Sequence, residues 1–510
     1  MNDETQIKDA SNEYRDRLDK LKAIREMGIN PYPDGYERTH KAVEAKNLGE
    51  EKGVRETEEI MAKPNAEIKI CGRLVAFRDH GNISFGQVQD NSGRIQICFM
   101  KNVVGVDMYK FLKKIDVADF LGCKGELFKT KHGEVTLLVT EYTLLSKALR
   151  PLPEKFHGLK DQETQYRQRY LDLVTNEDVK KRFQFRSDFM RYLREFYWKN
   201  EFSEIECPVL ASSASGALAK PFVTHHEALD HDFFLRIAIE TYQKEAIGGG
   251  FERVFEIGKV FRNEGMDPSH LQEFTMNEFY AAYWNYEKLM KFTEEMFEFL
   301  LMKTKGTLEI EIADREGKMT KVNFKTPWEK ISMRDLIKRD CGIDINEHKT
   351  EKDLLKAIKA KKVIIEDAEK LGRGNLIDNL YKKVSRPNIV GPLFLINHPT
   401  DLSPLARRND ENPEIVDRFQ VIVNGWEIVN AYSELVDPLE QAKAFKQQSQ
   451  AQERGDEEAH GKDDEFVQAM EHGFPPIAGW GMGIDRILAL LTQQDNLKDV
   501  VLFPLMRPLE

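Results

Sequence analysis

At Ile68 the chain takes up a side-chain period of two and holds it for about 80 residues. IKICGRLVAFRDHGNISFGQVQDNSGRIQICFM, from Ile68 to Met100, reads as three short strands with turn signals at His80-Gly81-Asn82 and Asp90-Asn91-Ser92-Gly93. DFLGCKGELFKT and VTLLVTEYTLLS add two more around Lys131-His132-Gly133, after an apolar segment at Met108–Ile115. A sheet of five short strands has two exposed edges unless it closes, so the spacing predicts a small β-barrel of the OB type.

The 510 residues are too many for one core, and two to four domains are expected. Residues 1–64 place Leu18, Leu21 and Ile24 at helical spacing before Gly28 and Pro31, which predicts an N-terminal helical extension and a polar connector. The barrel is expected over 65–147. A linker around Arg150-Pro151-Leu152-Pro153 is expected over 148–165. From 166 to 510 long helices mix with hairpin-connected strands, without the steady βαβ alternation of a parallel sheet. That pattern predicts an α+β domain with an antiparallel sheet, carrying a lysine-rich helical insertion at about 335–385.

Several classes are disfavoured. The first twenty residues have no apolar core of a signal peptide, and no apolar run is long enough to span a bilayer. The five cysteines, Cys71, Cys98, Cys123, Cys207 and Cys341, form no CxxC pair, which argues against a disulfide framework or a zinc site and for a reducing, cytoplasmic setting. A net charge of -11 argues against general coating of nucleic acid but leaves room for a local basic surface. GxSxG, a P-loop and a convincing dinucleotide fingerprint are all missing, so nucleotide chemistry would need a different cradle.

Three segments could supply one. In FERVFEIGKVFRNEGMDPSHLQEFTMNEFYAAY (251–283) strand alternation puts Phe274, Met276, Glu278 and Tyr280 on one face, with Arg262 and Glu264 together on the partner strand. A guanidinium can fork onto phosphate or carboxylate and an aromatic ring can stack on a purine. A hairpin with one solvated face would give the same pattern. GWGMGIDRILALL (479–491) sets closely spaced glycines before a helix carrying Arg486. VNGWEIVNAYSELVDP (423–438) follows an Asn424-Gly425 hairpin signal with Glu427, Asn430, Tyr432 and Glu434.

FRNEG…H…EFTMNEFYAAY resembles motif 2 of the class II aminoacyl-tRNA synthetases, GWGMGIDR resembles motif 3, and RFQFRSDFMRYLREFYWKNEFSEIECPVL resembles the dimer-forming motif 1. KPFVTHHEALD, FERVFEIGKVFRNEG, SPLARRNDENPEIVDRF, SELVDP and FPPIAGWGMGIDR are similar to the bacterial lysine-specific subgroup. The resemblance implies a six-stranded antiparallel catalytic sheet, an N-terminal OB-fold anticodon-binding domain, and a homodimer. It implies ATP, L-lysine and tRNA(Lys) as substrates and Mg2+ as cofactor. Lysyl-adenylate forms first, and lysine then passes to the tRNA 3′ end with no covalent enzyme intermediate.

By the same resemblance, Arg262 bridges the lysine carboxylate and the α-phosphate, Glu264 contacts the adenine, and His270 meets the outer phosphates. Phe274 and Arg486 sandwich the purine, and Glu427 ligates Mg2+. Gly216 and Glu240 hold the α-amine. Glu434 and Tyr280 meet the ε-ammonium, and Glu278, Asn430 and Tyr432 complete the lysine pocket. In the barrel Phe85 and Gln96, with Arg78 nearby, take an anticodon base; a place for Phe85 in the barrel core is the alternative.

Charge supports the amino acid independently, because Glu240, Glu278 and Glu434 would repel aspartate and attract a diamino acid. An aspartyl- or asparaginyl-type enzyme, a paralogue that acts on protein, and a silent RNA-binding protein are the rivals. The chain departs from the family at Ile239, where proline is usual, and at Thr241, Gln243 and Leu271-Gln272. Gln420 stands where the family carries a metal-binding acid. Pairing through Asn424-Gly425 puts Gln420 and Glu427 on one face, and a bulge between Glu427 and Asn430 is predicted to bring Asn430 and Glu434 onto it as well.

Overall fold

The computed structural model describes residues 12–51, 54, 60, 64–65, 67–153, 159 and 161–509, apart from 214–215, 218, 314–318, 404–405 and 454–462. The chain divides into two compact units, 1–159 and 160–510. Among the described residues no helix is long and apolar enough to cross a membrane.

In the first unit α1 (Asn12–Glu26) and α2 (Ala42–Glu51) precede β1 (Ile68–Asp79), β2 (Ile83–Gln89), β3 (Arg94–Met100), β4 (Phe120–Lys129) and β5 (Val135–Ser146). The strands close in the order β1-β2-β3-β5-β4, with β3 and β5 parallel. The barrel expectation is met, and its reason is visible in the alternation: Leu74, Val88, Ile95, Ile97, Leu121, Leu137 and Val139 fill the interior. Each such side chain contributes roughly 1.5–3 kcal/mol on burial.

Ile24 of α1 and Ala42 and Ala45 of α2 join that same core, so the helices lid the barrel. The buried stripe of α1 is Arg17, Leu21 and Ile24, and Leu18 is only half-buried. Arg17 can occupy a core-facing position because its guanidinium donates to the Val117 carbonyl at 3.0 Å and pairs with Glu13 at 2.8 Å.

The second unit is built on an eight-stranded sheet. Its strands are β6 (Ser203–Glu204), β10 (Arg253–Phe261), β11 (Glu273–Ala282), β14 (Glu329–Ser332), β15 (Leu393–Pro399), β16 (Ile415–Val423), β17 (Trp426–Ser433) and β18 (Ile477–Gly483). The remaining strands form two small sheets: β7 (Leu210–Ala211), β8 (Val223–His226) and β9 (His231–Leu235), and the pair β12 (Glu309–Ala313) and β13 (Met319–Asn323). The order in the main sheet is β14-β15-β16-β17-β18-β11-β10-β6. The six inner strands, β15 to β10, are antiparallel throughout, and the edges β14 and β6 add in parallel.

One face of this sheet is sealed by α3 (Glu177–Lys199), α5 (Tyr286–Thr304) and α10 (Ile484–Leu491), through a core that includes Phe196, Tyr197, Phe255, Phe279, Phe292 and Trp480. On the other side of the fold α4 (Glu240–Gly248) follows β9. The lysine-rich stretch forms α6 (Met333–Cys341), α7 (Glu351–Ala360) and α8 (Arg373–Val384). These three bury their apolar faces on one another and on Leu393, Leu395 and Ile422. The last long helix before β18 is α9 (Pro438–Glu453).

Candidate active site

The open face of the sheet carries a cavity of about 440 Å³. Register explains why it exists. Gly479, Gly481 and Gly483 of β18 stand opposite Tyr280, Glu278 and Met276 of β11, and on the other side Tyr432 and Asn430 of β17 face Gly479 and Gly481. The intervening Ala478, Trp480 and Met482 point into the core. Alternation therefore makes a floor without side chains between two walls that carry functional groups. A Cβ on Gly479 would lie 2.1 Å from Glu434 Oε1 and 2.4 Å from Tyr280 Cε1.

Arg262, Glu264, His270, Phe274, Glu278, Tyr280, Glu427, Asn430, Tyr432, Arg486, Gly216 and Glu240 all line this one cavity. At one end Arg262 lies over the Phe274 ring, its guanidinium carbon 5.2 Å from the centroid. His270 is held by Asp267, with Nδ1 2.7 Å from Oδ2. Arg486 donates to the Glu427 carbonyl at 3.0 Å, which ties the first turn of α10 to β17.

Two of the departures have structural reasons. The Gln272 side chain donates to the Gly265 carbonyl at 2.9 Å, and the Gln272 backbone carbonyl accepts from the Arg262 backbone N–H, so this residue closes the loop between β10 and β11. Ile239 is buried against Cys207 and Val260. Its N–H, which a proline would lack, faces the Glu278 carboxylate and favours the ionised form.

The other end is acidic and enclosed. Glu278 is pushed up to about 8 by burial and by Glu240, against the pull of Arg262. Glu434 is 1% exposed and does not itself line the cavity; it sits behind Gly479. Burial and Glu240 raise its carboxyl, and Lys244 opposes the rise. Glu240 Oε2 accepts from the Tyr432 hydroxyl at 3.0 Å. Glu256, which also acts on Glu278, forms a buried pair with Arg236 at 2.6 Å and accepts from the Cys207 N–H at 2.8 Å.

The bulge predicted between Glu427 and Asn430 is present: Ile422 pairs with Glu427 and Val421 with Val429, which leaves Ile428 unmatched. Gln420 pairs with Asn430 and shares its face, yet it is not brought to the cavity. Its amide oxygen lies 3.2 Å from His398 Nε2 in the buried interior. Burial and Arg418 push that imidazole down to about 3, so it stays neutral. Among the described residues no three His, Cys, Asp or Glu side chains gather to hold a metal ion by themselves.

Sequence reasoning passed over Lys244, Asp267, Arg418 and Asp485. Arg418 donates to Asn430 Oδ1 at 2.8 Å, and Asp485 accepts from Arg186 at 2.6 Å and from the Thr275 N–H at 2.7 Å. Asp485 and Arg418 lay inside family-like stretches, GWGMGIDR and SPLARRNDENPEIVDRF, but their partners were not legible there. Lys244 acts through Glu434, distant in sequence, and Asp267 acts inside an irregular loop.

In the barrel Arg78 faces Phe85 across β1–β2, and Gln96 faces Gln87 across β2–β3, so all four share the outer surface. Phe85 is half-buried against Cys98 and Phe128 rather than in the barrel core.

The model of the family described as tRNA synthetases class II (D, K and N) matches residues 161–507, and that of the OB-fold nucleic acid binding domain matches 68–145. The chain is 43% identical over 499 residues to a lysine–tRNA ligase of Thermosipho africanus, covering 98% of this chain and 96% of the relative. It is 43% identical over 505 residues to one from Enterobacter sp., covering 99% and 98%. It is 45% identical over 442 residues to one from Aquifex aeolicus, covering 86% and 73%. With an eight-stranded sheet whose inner six strands are antiparallel, a glycine-floored cavity and an OB barrel ahead of it, the chain belongs to the class II tRNA synthetases (D, K and N).

Proposed function

We propose that this protein is a lysine–tRNA ligase, activating L-lysine with ATP and transferring it to tRNA(Lys). The observation that carries the choice of amino acid is the convergence of three carboxylates at the closed end of the cavity, the buried Glu278 and Glu434 and the partly exposed Glu240. Aspartate would add a further negative charge beside those carboxylates and asparagine would offset none of theirs, whereas a diamino acid supplies two ammonium groups.

The open end suits ATP. Phe274 and Arg486 offer surfaces on either side of an adenine, Glu264 an acceptor for its amino group, and His270 a donor for the outer phosphates. Arg262, which lies over Phe274 and also acts on Glu278, can fork onto the α-phosphate and the lysine carboxylate. Holding those two groups in line accelerates attack by the carboxylate without any enzyme nucleophile, and the guanidinium offsets the charge that develops on phosphorus. Gly216 and Glu240 take the α-amine; Tyr280 and Glu434 take the distal ammonium; Glu278, Asn430 and Tyr432 complete the pocket.

Glu427 is the residue that would ligate Mg2+, with the ion held largely by substrate phosphates, whose charge it would offset. Gln420 receives no ligand role, because its amide is turned to His398. For the barrel, Phe85 stacking with Gln96 and Arg78 beside it fits an anticodon base. A homodimer through α3 is supported by Trp198, 57% exposed beside Met190, Arg191 and Arg194.

Amino-acid-dependent ATP–pyrophosphate exchange tests the reading. Exchange with lysine and none with aspartate or asparagine is expected; exchange driven by either acid or amide, and not by lysine, would overturn it.

A further inference from the structure

α4 carries Glu240 and, one turn later, Lys244, whose side chain is almost wholly enclosed. Its ammonium lies 2.5 Å from Glu240 Oε1 and pairs with Glu434 Oε2. It also stands 5.8 Å from the centroids of the Tyr280 and Phe466 rings. Lys244 does not line the cavity. It therefore meets both carboxylates from outside the cavity.

The consequence is a sorting of oxygens. Both Glu240 oxygens are engaged, one by Lys244 and one by the Tyr432 hydroxyl. Glu434 has one oxygen on Lys244, while Oε1, buried against Gly479 at the cavity floor, has no hydrogen-bond partner among the described residues. An unpaired buried carboxylate oxygen is costly, and a cation arriving through the cavity relieves that cost.

We propose that Lys244 is a positioning residue of the amino-acid subsite: an internal ammonium that holds Glu240 and Glu434 from behind and leaves Glu434 Oε1 as the bare acceptor for the substrate's distal ammonium. This rests on the lysine reading above. It also assigns a charge role. Glu434 is faced by Lys244 and Glu240 from α4, by Glu278 and Tyr280 from β11, and by Tyr432 from β17, just ahead of it in the chain. β18 presents only the backbone of Gly479 there.

Of these neighbours only Lys244 is a cation. Asp463 and Glu465, at the start of the helix that carries Phe466, act on Tyr242 and Glu245 instead. Without the Lys244 ammonium, the three carboxylates would repel one another and favour bound protons, and a protonated Glu434 would no longer be a purely accepting group for a cation.

Lysine-dependent pyrophosphate exchange from about pH 6 to 9 tests this with Lys244→Met and Lys244→Arg. Lysine KM should fall with rising pH in the wild type as Glu434 ionises. In Lys244→Met that fall should move to higher pH by roughly one unit, with lysine KM at neutral pH raised roughly tenfold or more and ATP KM within about twofold of wild type. Lys244→Arg, which keeps the charge, should retain the wild-type pH limb.

Identical lysine KM and pH limbs in wild type and Lys244→Met would overturn the role of Lys244. So would equal displacement in the Met and Arg variants, which would mark a packing effect. If Lys244→Met does not fold, the Arg variant decides, because a displaced limb there contradicts a charge role. A wild type with no lysine-dependent exchange would instead overturn the amino-acid reading itself.

Discussion

Glu434 shows how much a single side chain can be asked to do. It is enclosed, raised toward its neutral form by burial, and held at one oxygen by Lys244. Glu434→Gln should therefore weaken lysine by about 2–5 kcal/mol and leave ATP almost unchanged, because one half of a buried charge pair is neutralised. Separate titration of each substrate in the exchange reaction checks this; equal losses for both would remove Glu434 from the amino-acid subsite.

The same acidic end makes the stability of the substrate-free protein depend on pH. Glu278 sits at about 8 in the native state against an ordinary value of 4.5. Between those values the folded chain holds a proton that the unfolded chain has released, so stability declines as pH rises across that window and levels off above it. Thermal melts from pH 5 to about 9 should show this slope, and saturating lysine should flatten it by replacing the proton with an ammonium.

Among the elements, β18 and β17 decide the shape of the site. β18 works through what it lacks: its three alternate glycines leave the floor clear, and Gly479 lets Glu434 and Tyr280 approach the backbone. Gly479→Ala puts a methyl group onto a carboxylate anchored from behind and onto a rigid ring. Lysine KM should rise roughly tenfold or more while ATP KM changes little, since overpacking costs about 1–3 kcal/mol. An unchanged lysine KM would show that the closed end has slack. β17 works through its bulge at Ile428, which lets Glu427 share a face with Asn430 and Tyr432. Deleting Ile428 should restore strict alternation, turn the amino-acid residues away from Glu427, and abolish exchange. Retained exchange would mean the strand can re-register around the loss.

For the whole molecule, two units carry separable tasks. The barrel's outer face presents Phe85, Gln87, Gln96 and Arg78, and the residues that line the cavity all belong to the second unit. Phe85→Ala should raise the tRNA concentration needed for charging by an amount equivalent to about 1–3 kcal/mol, with lysine-dependent pyrophosphate exchange near wild type. If exchange and charging fall together, Phe85 serves the barrel's packing against Cys98 and Phe128 instead.

Periodicity alone determined the barrel strands, the Asn424-Gly425 hairpin and the shared face of Phe274, Met276, Glu278 and Tyr280, because side-chain alternation and turn chemistry are local properties. Even the β17 bulge was legible, since two groups of site residues had opposite parity. The barrel's order, with β3 beside β5, and the parallel edges β14 and β6 were not written in any local pattern. Nor was the fate of individual polar groups. Lys244 reads in sequence as one more surface lysine on a short helix, and Gln420 reads as a neighbour of Glu427. Tertiary structure buried the first between two carboxylates and turned the second toward His398, because burial and partner choice depend on residues some 20 to 190 positions away that only the folded sheet brings within a few ångströms.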